Sequence, residues 1–92
     1  MFMQHRVLRK GLSARAMTGS VDRAFHALSI RTAASGNDWR LGDTGSALVL
    51  CQAMPVGDDA CYVMCVAVSE QQSGVAVIDT VKDRLSKTVA ID

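Results

Sequence analysis

The sequence predicts a small α+β domain of two layers, in which two helices cover one face of an antiparallel sheet of three or four strands in the order β-α-β-β-α. Three observations support this prediction. The chain has 92 residues, which is the length of one domain, so residues 1–92 are treated as a single unit. Its centre contains two apolar segments separated by turn residues, and a segment with helical spacing lies on each side of them.

The first two elements are predicted to be a strand and a helix. Polar and apolar residues alternate loosely over residues 4–14, which is typical of a strand. A helix is predicted over residues 20–34, with Ser20 as its N-cap and Gly36 as its C-terminal stop. Its apolar stripe has the i, i+3, i+4, i+7 spacing of one helix face and consists of Val21, Ala24, Phe25 and Leu28.

Residues 45–53 and 60–69 are predicted to pair as a β-hairpin, because the segment between them contains Pro55, Gly57 and two aspartates. Side chains alternate across a strand, so each strand has two faces. One face of the hairpin carries the larger residues, and we expect the helices to cover it. This face consists of Leu48, Leu50, Met64, Val66 and Val68.

The second face of the hairpin is also apolar, although an antiparallel sheet with one solvated side usually alternates apolar and polar residues. We predict that this face forms the interface of a homodimer, because two-fold dimers are the commonest assembly. A pocket for an apolar ligand and coverage by the N-terminal segment are the two alternatives. The face consists of Ala47, Val49, Cys51, Cys61, Val63, Cys65 and Ala67.

The last element is predicted to be a helix over residues 75–89. A short strand over residues 75–78, followed by a helix that begins at Asp79, is the alternative. The apolar stripe of the predicted helix consists of Ile78, Val81, Leu85 and Val89.

The three cysteines are predicted to be small, buried apolar residues. On one strand, Cys61 and Cys65 are about 13 Å apart, which is too far for a disulfide or a shared zinc ion. Cys51 approaches either of them only if the hairpin register places it on the same face. The odd number of cysteines favours a reducing, cytoplasmic compartment. No metal, cofactor or catalytic residue is predicted.

Residues 43–46 have the sequence Asp-Thr-Gly-Ser, which resembles the active-site signature of aspartic proteases. In the single-domain, dimeric members of that family each subunit supplies one such aspartate, and the two carboxyl groups share a proton. The match is confined to these four residues. Gly42 stands where the family has an apolar run, and the 46 residues after Ser46 are too few for the rest of that fold. We therefore interpret the segment as a turn that enters a strand.

Basic residues are concentrated in the first part of the chain, since residues 1–40 carry seven Lys/Arg and two acidic residues. We expect the acidic second part of the chain to neutralise them. Nucleic-acid binding is a weaker alternative, because no known module organises the basic N-terminal segment. No apolar stretch approaches the roughly 18–20 residues of a membrane span, so no membrane partner is expected. The basic residues of that segment are Arg6, Arg9, Lys10 and Arg15.

These observations together predict a non-enzymatic interaction or accessory module that acts as a homodimer, with an unidentified protein or small molecule as a further partner. The alternative is a small-ligand-binding protein or minor enzyme, with a pocket between sheet and helices or at the dimer seam. The residues predicted to line that pocket are Trp39, Arg40, Cys51, Tyr62 and Cys65.

Overall fold

The chain folds into five strands, a short 3-10 helix and two α-helices, as described for residues 1–87 by a computed structural model. The order along the chain is β-α-β-β-β-β-α, with the 3-10 helix directly before the last α-helix. The elements are β1 (Phe2–Lys10), α1 (Ala14–Ala27), β2 (Arg31–Ser35), β3 (Trp39–Asp43), β4 (Leu48–Pro55), β5 (Cys61–Ser69), the 3-10 helix (Gln72–Ala76) and α2 (Val77–Ser86).

All five strands belong to one antiparallel sheet with the spatial order β1-β5-β4-β3-β2. Strands β2 to β5 are successive hairpins, and α1 carries the chain from β1 at one edge to β2 at the other. The longest strands, β1 and β5, pair over their whole length from Phe2↔Ser69 to Lys10↔Cys61.

Both helices pack on the same face of the sheet and against each other. Helix α1 lies over the β2–β5 side, and α2 lies over β1 and β5. Their apolar stripes and the inward side chains of the strands form one core cluster. Its largest fully buried members are Phe25, Met17, Ile78, Leu85, Val49, Val63 and Val81.

The predicted sheet of three or four strands, in the order β-α-β-β-α, is wrong, although the α+β class agrees with the structure. The extra strands are β2 and β3, which form a hairpin of their own. Strand β2 has the sequence Arg-Thr-Ala-Ala-Ser and is exposed throughout at the sheet edge, so it has no alternation of apolar and polar residues. Gly36 lies in the tight turn of this hairpin, where its N–H donates to the carbonyl of Trp39.

Helix α1 begins and ends earlier than the predicted helix at residues 20–34. Its N-cap is Ser13, whose Oγ accepts a hydrogen bond from the N–H of Ala16 at 3.1 Å. Ser20 is a buried residue inside the helix, and its hydroxyl donates back to the carbonyl of Ala16. The helix ends before Ser29, which has a φ of 59°, and β2 follows at once.

The central hairpin is confirmed, with β4 and β5 paired from Leu48↔Val68 to Pro55↔Cys61. The last helix is also present. It begins at Val77 after the 3-10 turn, so residues 75–78 form no strand. The predicted end of this helix at Val89 lies outside the described residues.

The helices cover the hairpin face that carries the smaller side chains. The prediction that the face with the larger residues forms the core is therefore wrong. The helices themselves supply bulky residues such as Phe25, Met17 and Ile78. Small strand residues opposite them let the two layers approach closely at high packing density. The covered residues are only 0–6% exposed, and they are Ala47, Val49, Cys51, Cys61, Val63, Cys65 and Ala67.

Candidate functional site

No element within residues 1–87 covers the face of the sheet opposite the helices, and this face carries large apolar side chains. Side chains alternate between the two faces of a strand, so the residues of this face can be read from their neighbours on the helix side. On β3, for example, Gly42 lies against Phe25 of α1, and Arg40 forms an ion pair with Asp22 of α1. We call this surface the open face. Its residues are Met3, His5, Val7 and Arg9 on β1; Tyr62, Met64, Val66 and Val68 on β5; Leu48, Leu50, Gln52 and Met54 on β4; and Trp39, Leu41 and Asp43 on β3.

The register arranges these side chains in rows that run across the strands. One central row joins Val66 to Leu50 and Leu50 to Leu41. The solvent-exposed fraction of these side chains is high for apolar residues and reaches 63% for Met3 and 52% for Val7. Contiguous apolar surface of this kind marks interaction sites in soluble proteins.

Charged groups on the open face are restricted to its margins. Arg9 lies on edge strand β1. At the opposite margin the Arg31 guanidinium Nη2 is 3.0 Å from Asp43 Oδ2. The N–H of Gly45 donates to Asp43 Oδ1 at 2.8 Å, and this hydrogen bond, together with that from Arg31, lowers the pKa of the Asp43 carboxyl below its ordinary value. Asp43 is thus an ionised residue at the end of β3, in the turn predicted for residues 43–46.

The five residues predicted to line a ligand pocket do not lie together. Trp39 and Tyr62 are on the open face, whereas Cys51, Cys65 and Arg40 point to the helix side. A single pocket therefore cannot contain all five side chains within one protomer.

The Arg40 side chain is held in place by an ion pair and by hydrogen bonds to the backbone. Its Nε is 2.7 Å from Asp22 Oδ1, and its Nη1 donates to the carbonyl oxygens of Gly36 and Trp39. The side chain thus joins α1 to the β2–β3 turn, and its donors are engaged within the fold.

Cys51 and Cys65 face each other across β4 and β5 beneath the helices. Their sulfur atoms are 3.4 Å apart, with Cys51 as the hydrogen-bond donor. Donating this hydrogen bond raises the pKa of the Cys51 thiol, and burial raises it further. Accepting the same hydrogen bond lowers the pKa of the Cys65 thiol, and this effect exceeds the opposing effect of burial. Cys61 lies apart, and burial raises the pKa of its thiol. Within residues 1–87 no three His, Cys, Asp or Glu side chains are grouped as metal ligands would be.

The clefts among residues 1–87 include three of about 270–330 Å³ at the margins of the fold, away from the predicted pocket residues. One is at the β3–β4 turn beside Asp43 and Glu70. The second is between the helices beside Leu28 and Arg84, and the third is beside Arg6 where the 3-10 helix meets β1. Each is open and mixed in polarity, so the open face is the more distinctive surface.

The basic N-terminal residues are distributed over different surfaces. Arg6 Nε is 3.0 Å from Asp79 Oδ1 of α2, and Lys10 Nζ donates to the carbonyl of Ser86. Arg9 is on the open face, and Arg15 is exposed on α1. The four residues therefore do not form one continuous basic surface.

Sequence reasoning identified the central part of the open face but assigned it to the core, and it missed the contributions of β1 and β3. The sequence gives no strong signal for the first of these, because both faces of β1 mix apolar with polar residues.

Comparison of the chain with protein-family models, with curated proteins and with solved structures gives no significant match. No helix within residues 1–87 is both long enough and apolar enough to cross a membrane.

Proposed function

We propose that the protein is a small, non-enzymatic interaction module that forms a homodimer by packing the open faces of two copies against each other. The observation that carries this proposal is the uncovered apolar face of the sheet, with Leu48, Tyr62, Met54 and Val7 all 38–52% exposed. A domain of this size gains little stability from its own core, so burial of a second apolar surface is a substantial gain.

The size of the open face suits a second copy of the chain. Four strands about 4.8 Å apart, with outward residues about 6.7 Å apart along each strand, give a flat footprint on the order of 500 Å². Two such footprints, enlarged by the pleat, reach the lower limit of about 1,000 Å² for a specific protein interface. Two antiparallel sheets pack in this manner at a separation of about 10 Å.

The charge distribution also favours self-association. In a two-fold interface the same surface patch of both copies packs together, so a charge near the centre of the patch would lie close to its like-charged equivalent in the other copy. The centre of the open face holds Leu50, Val66 and Met64, and its one polar residue there, Gln52, is uncharged. Arg9 and the Arg31–Asp43 pair remain at the margins, where solvent screens them.

A charge introduced at the centre of the open face tests the proposal. The Val66→Lys variant should be monomeric in sedimentation velocity at concentrations where the parent chain is dimeric, because dimerisation would bury an unpaired ammonium group in the apolar interface. Ala27→Lys is the matched control, since Ala27 is exposed on α1, on the opposite side of the protomer. This control should sediment as the parent chain does.

Two results would contradict the proposal: a parent chain that is monomeric throughout, or a Val66→Lys dimer of unchanged affinity. The first would leave the open face to a different protein or an apolar ligand. The second would place the dimer contact elsewhere, with the β1 edge as the next surface to test. Circular dichroism of each variant establishes that it is folded.

We further propose that the module resides in a reducing compartment, such as the cytoplasm. The three cysteines are unpaired thiols, and this supports such a location.

A further inference from the structure

Cys51 and Cys65 occupy directly opposed positions on neighbouring strands. The N–H of Val56 donates to the carbonyl of Ala60, which makes Val56 and Ala60 a hydrogen-bonded pair of the β4–β5 ladder. Because such pairs alternate along an antiparallel ladder, Cys51 and Cys65 form a non-hydrogen-bonded pair. Opposed residues of this kind have Cα atoms about 4.5 Å apart, which is within the range that a disulfide spans.

We propose that Cys51 and Cys65 are a modification site at which a hydroperoxide converts the dithiol reversibly into a cross-strand disulfide. The two sulfur atoms are already 3.4 Å apart, and a disulfide requires about 2.05 Å. Small side-chain rotations therefore suffice, without a change in strand register.

The chemistry balances with the hydroperoxide as the oxidant. Cys65, which accepts the hydrogen bond, loses its proton and attacks one peroxide oxygen. The O–O bond breaks, the leaving alkoxide or hydroxide takes a proton, and Cys65 becomes a sulfenic acid. Cys51 then attacks that sulfur as a thiolate, hydroxide leaves and takes up the proton of Cys51, and a disulfide and water result. The two thiols together supply two electrons.

Access to the pair requires a local opening of the helix layer. Both side chains are no more than 1% exposed, so a peroxide does not reach them in the closed fold. Oxidation should therefore be slow in native buffer and faster in urea below the unfolding transition, because local openings become more frequent.

Cys61 provides an internal control for native geometry. It is buried on the same side of the sheet as Cys65, but four residues away along β5, at a distance of about 13 Å. In an unfolded chain, by contrast, the shortest loop closes between Cys61 and Cys65, and that disulfide would be favoured. The identity of the disulfide thus distinguishes reaction in the folded chain from reaction after unfolding.

The test is oxidation of the full chain by hydrogen peroxide, followed by thiol alkylation and peptide mass spectrometry. We expect a loss of 2 Da, with one disulfide that joins Cys51 to Cys65 and is reversed by dithiothreitol. The Cys61→Ser variant should react as the parent chain does, and Cys51→Ser should form no intramolecular disulfide.

A Cys61–Cys65 or Cys51–Cys61 product would overturn the proposal, as would oxidation that stops at sulfinic acid without a cross-link. If Cys51→Ser fails to fold, the parent chain and Cys61→Ser still decide the question through the identity of the cross-linked peptides. The pair lies on the side of the sheet opposite the open face, so this outcome is independent of the proposed homodimer.

Discussion

Gly42 determines how closely α1 approaches the sheet. A Cβ atom at this position would be 2.5 Å from Ile30 Cγ2 and 2.7 Å from Phe25 Cε2, both of which are in the core. The absent side chain therefore makes room for the largest buried aromatic ring of the protein. Gly42 thus belongs to the set of small residues that the helix-facing side of the sheet requires, and it is the smallest of them.

We predict that Gly42→Ala lowers the free energy of unfolding by about 1–3 kcal/mol, the usual cost of overpacking a core. Urea denaturation measures this change. Gly11→Ala is the matched control: a Cβ there meets no atom within 4 Å, so stability should stay the same or rise by up to about 1 kcal/mol. Equal effects of the two substitutions would contradict the close approach of α1 and β3.

At the scale of elements, α1 depends on the cap at Ser13. The Ser13 hydroxyl satisfies one of the N–H groups that lack a partner in the first turn of a helix. Thr18 and Ser20 lie further along and donate back to carbonyls within the helix. Their hydroxyls are therefore satisfied inside the element and do not mark its beginning.

Ser13→Ala should cost about 1 kcal/mol of stability through the lost cap. Ser20→Ala should cost less than Ser13→Ala, because the higher helix propensity of alanine offsets much of the loss of the two hydrogen bonds that join the Ser20 hydroxyl to the Ala16 carbonyl and the Arg23 guanidinium. Thermal or urea unfolding of both variants tests this order. A larger effect at Ser20 would favour the later helix start that the sequence pattern indicates.

The elements that could be predicted are those with a strong pattern. The β4–β5 hairpin follows from two apolar segments separated by turn residues, and the stripe of Ile78, Val81 and Leu85 follows from helical periodicity. Strand β2 could not be predicted, because an exposed edge strand needs no apolar face, and its alanines also suit a helix. The sequence pattern therefore assigns residues 31–34 to the preceding helix.

At the scale of the whole molecule, the sheet has two apolar faces and one layer of helices. Periodicity shows both faces, but it does not show which one the helices cover. That choice depends on the fit of large helix residues such as Phe25 and Ile78 to small strand residues such as Cys65 and Ala67. The hairpin face that the sequence predicts as the dimer interface is accordingly the face that the helices cover.

The arrangement leaves the protomer with an apolar surface that water must solvate unless a partner covers it. We propose that a second copy of the chain covers it. The covered face and its cysteines are already inside the protomer, so the dimer contact should be insensitive to the thiol redox state.

The most direct test is the solution mass of the reduced chain, measured by light scattering on a sizing column over a range of concentrations. We expect a mass twice the 9.8 kDa of the single chain, maintained in the presence of dithiothreitol. A mass of one chain at every concentration would contradict it.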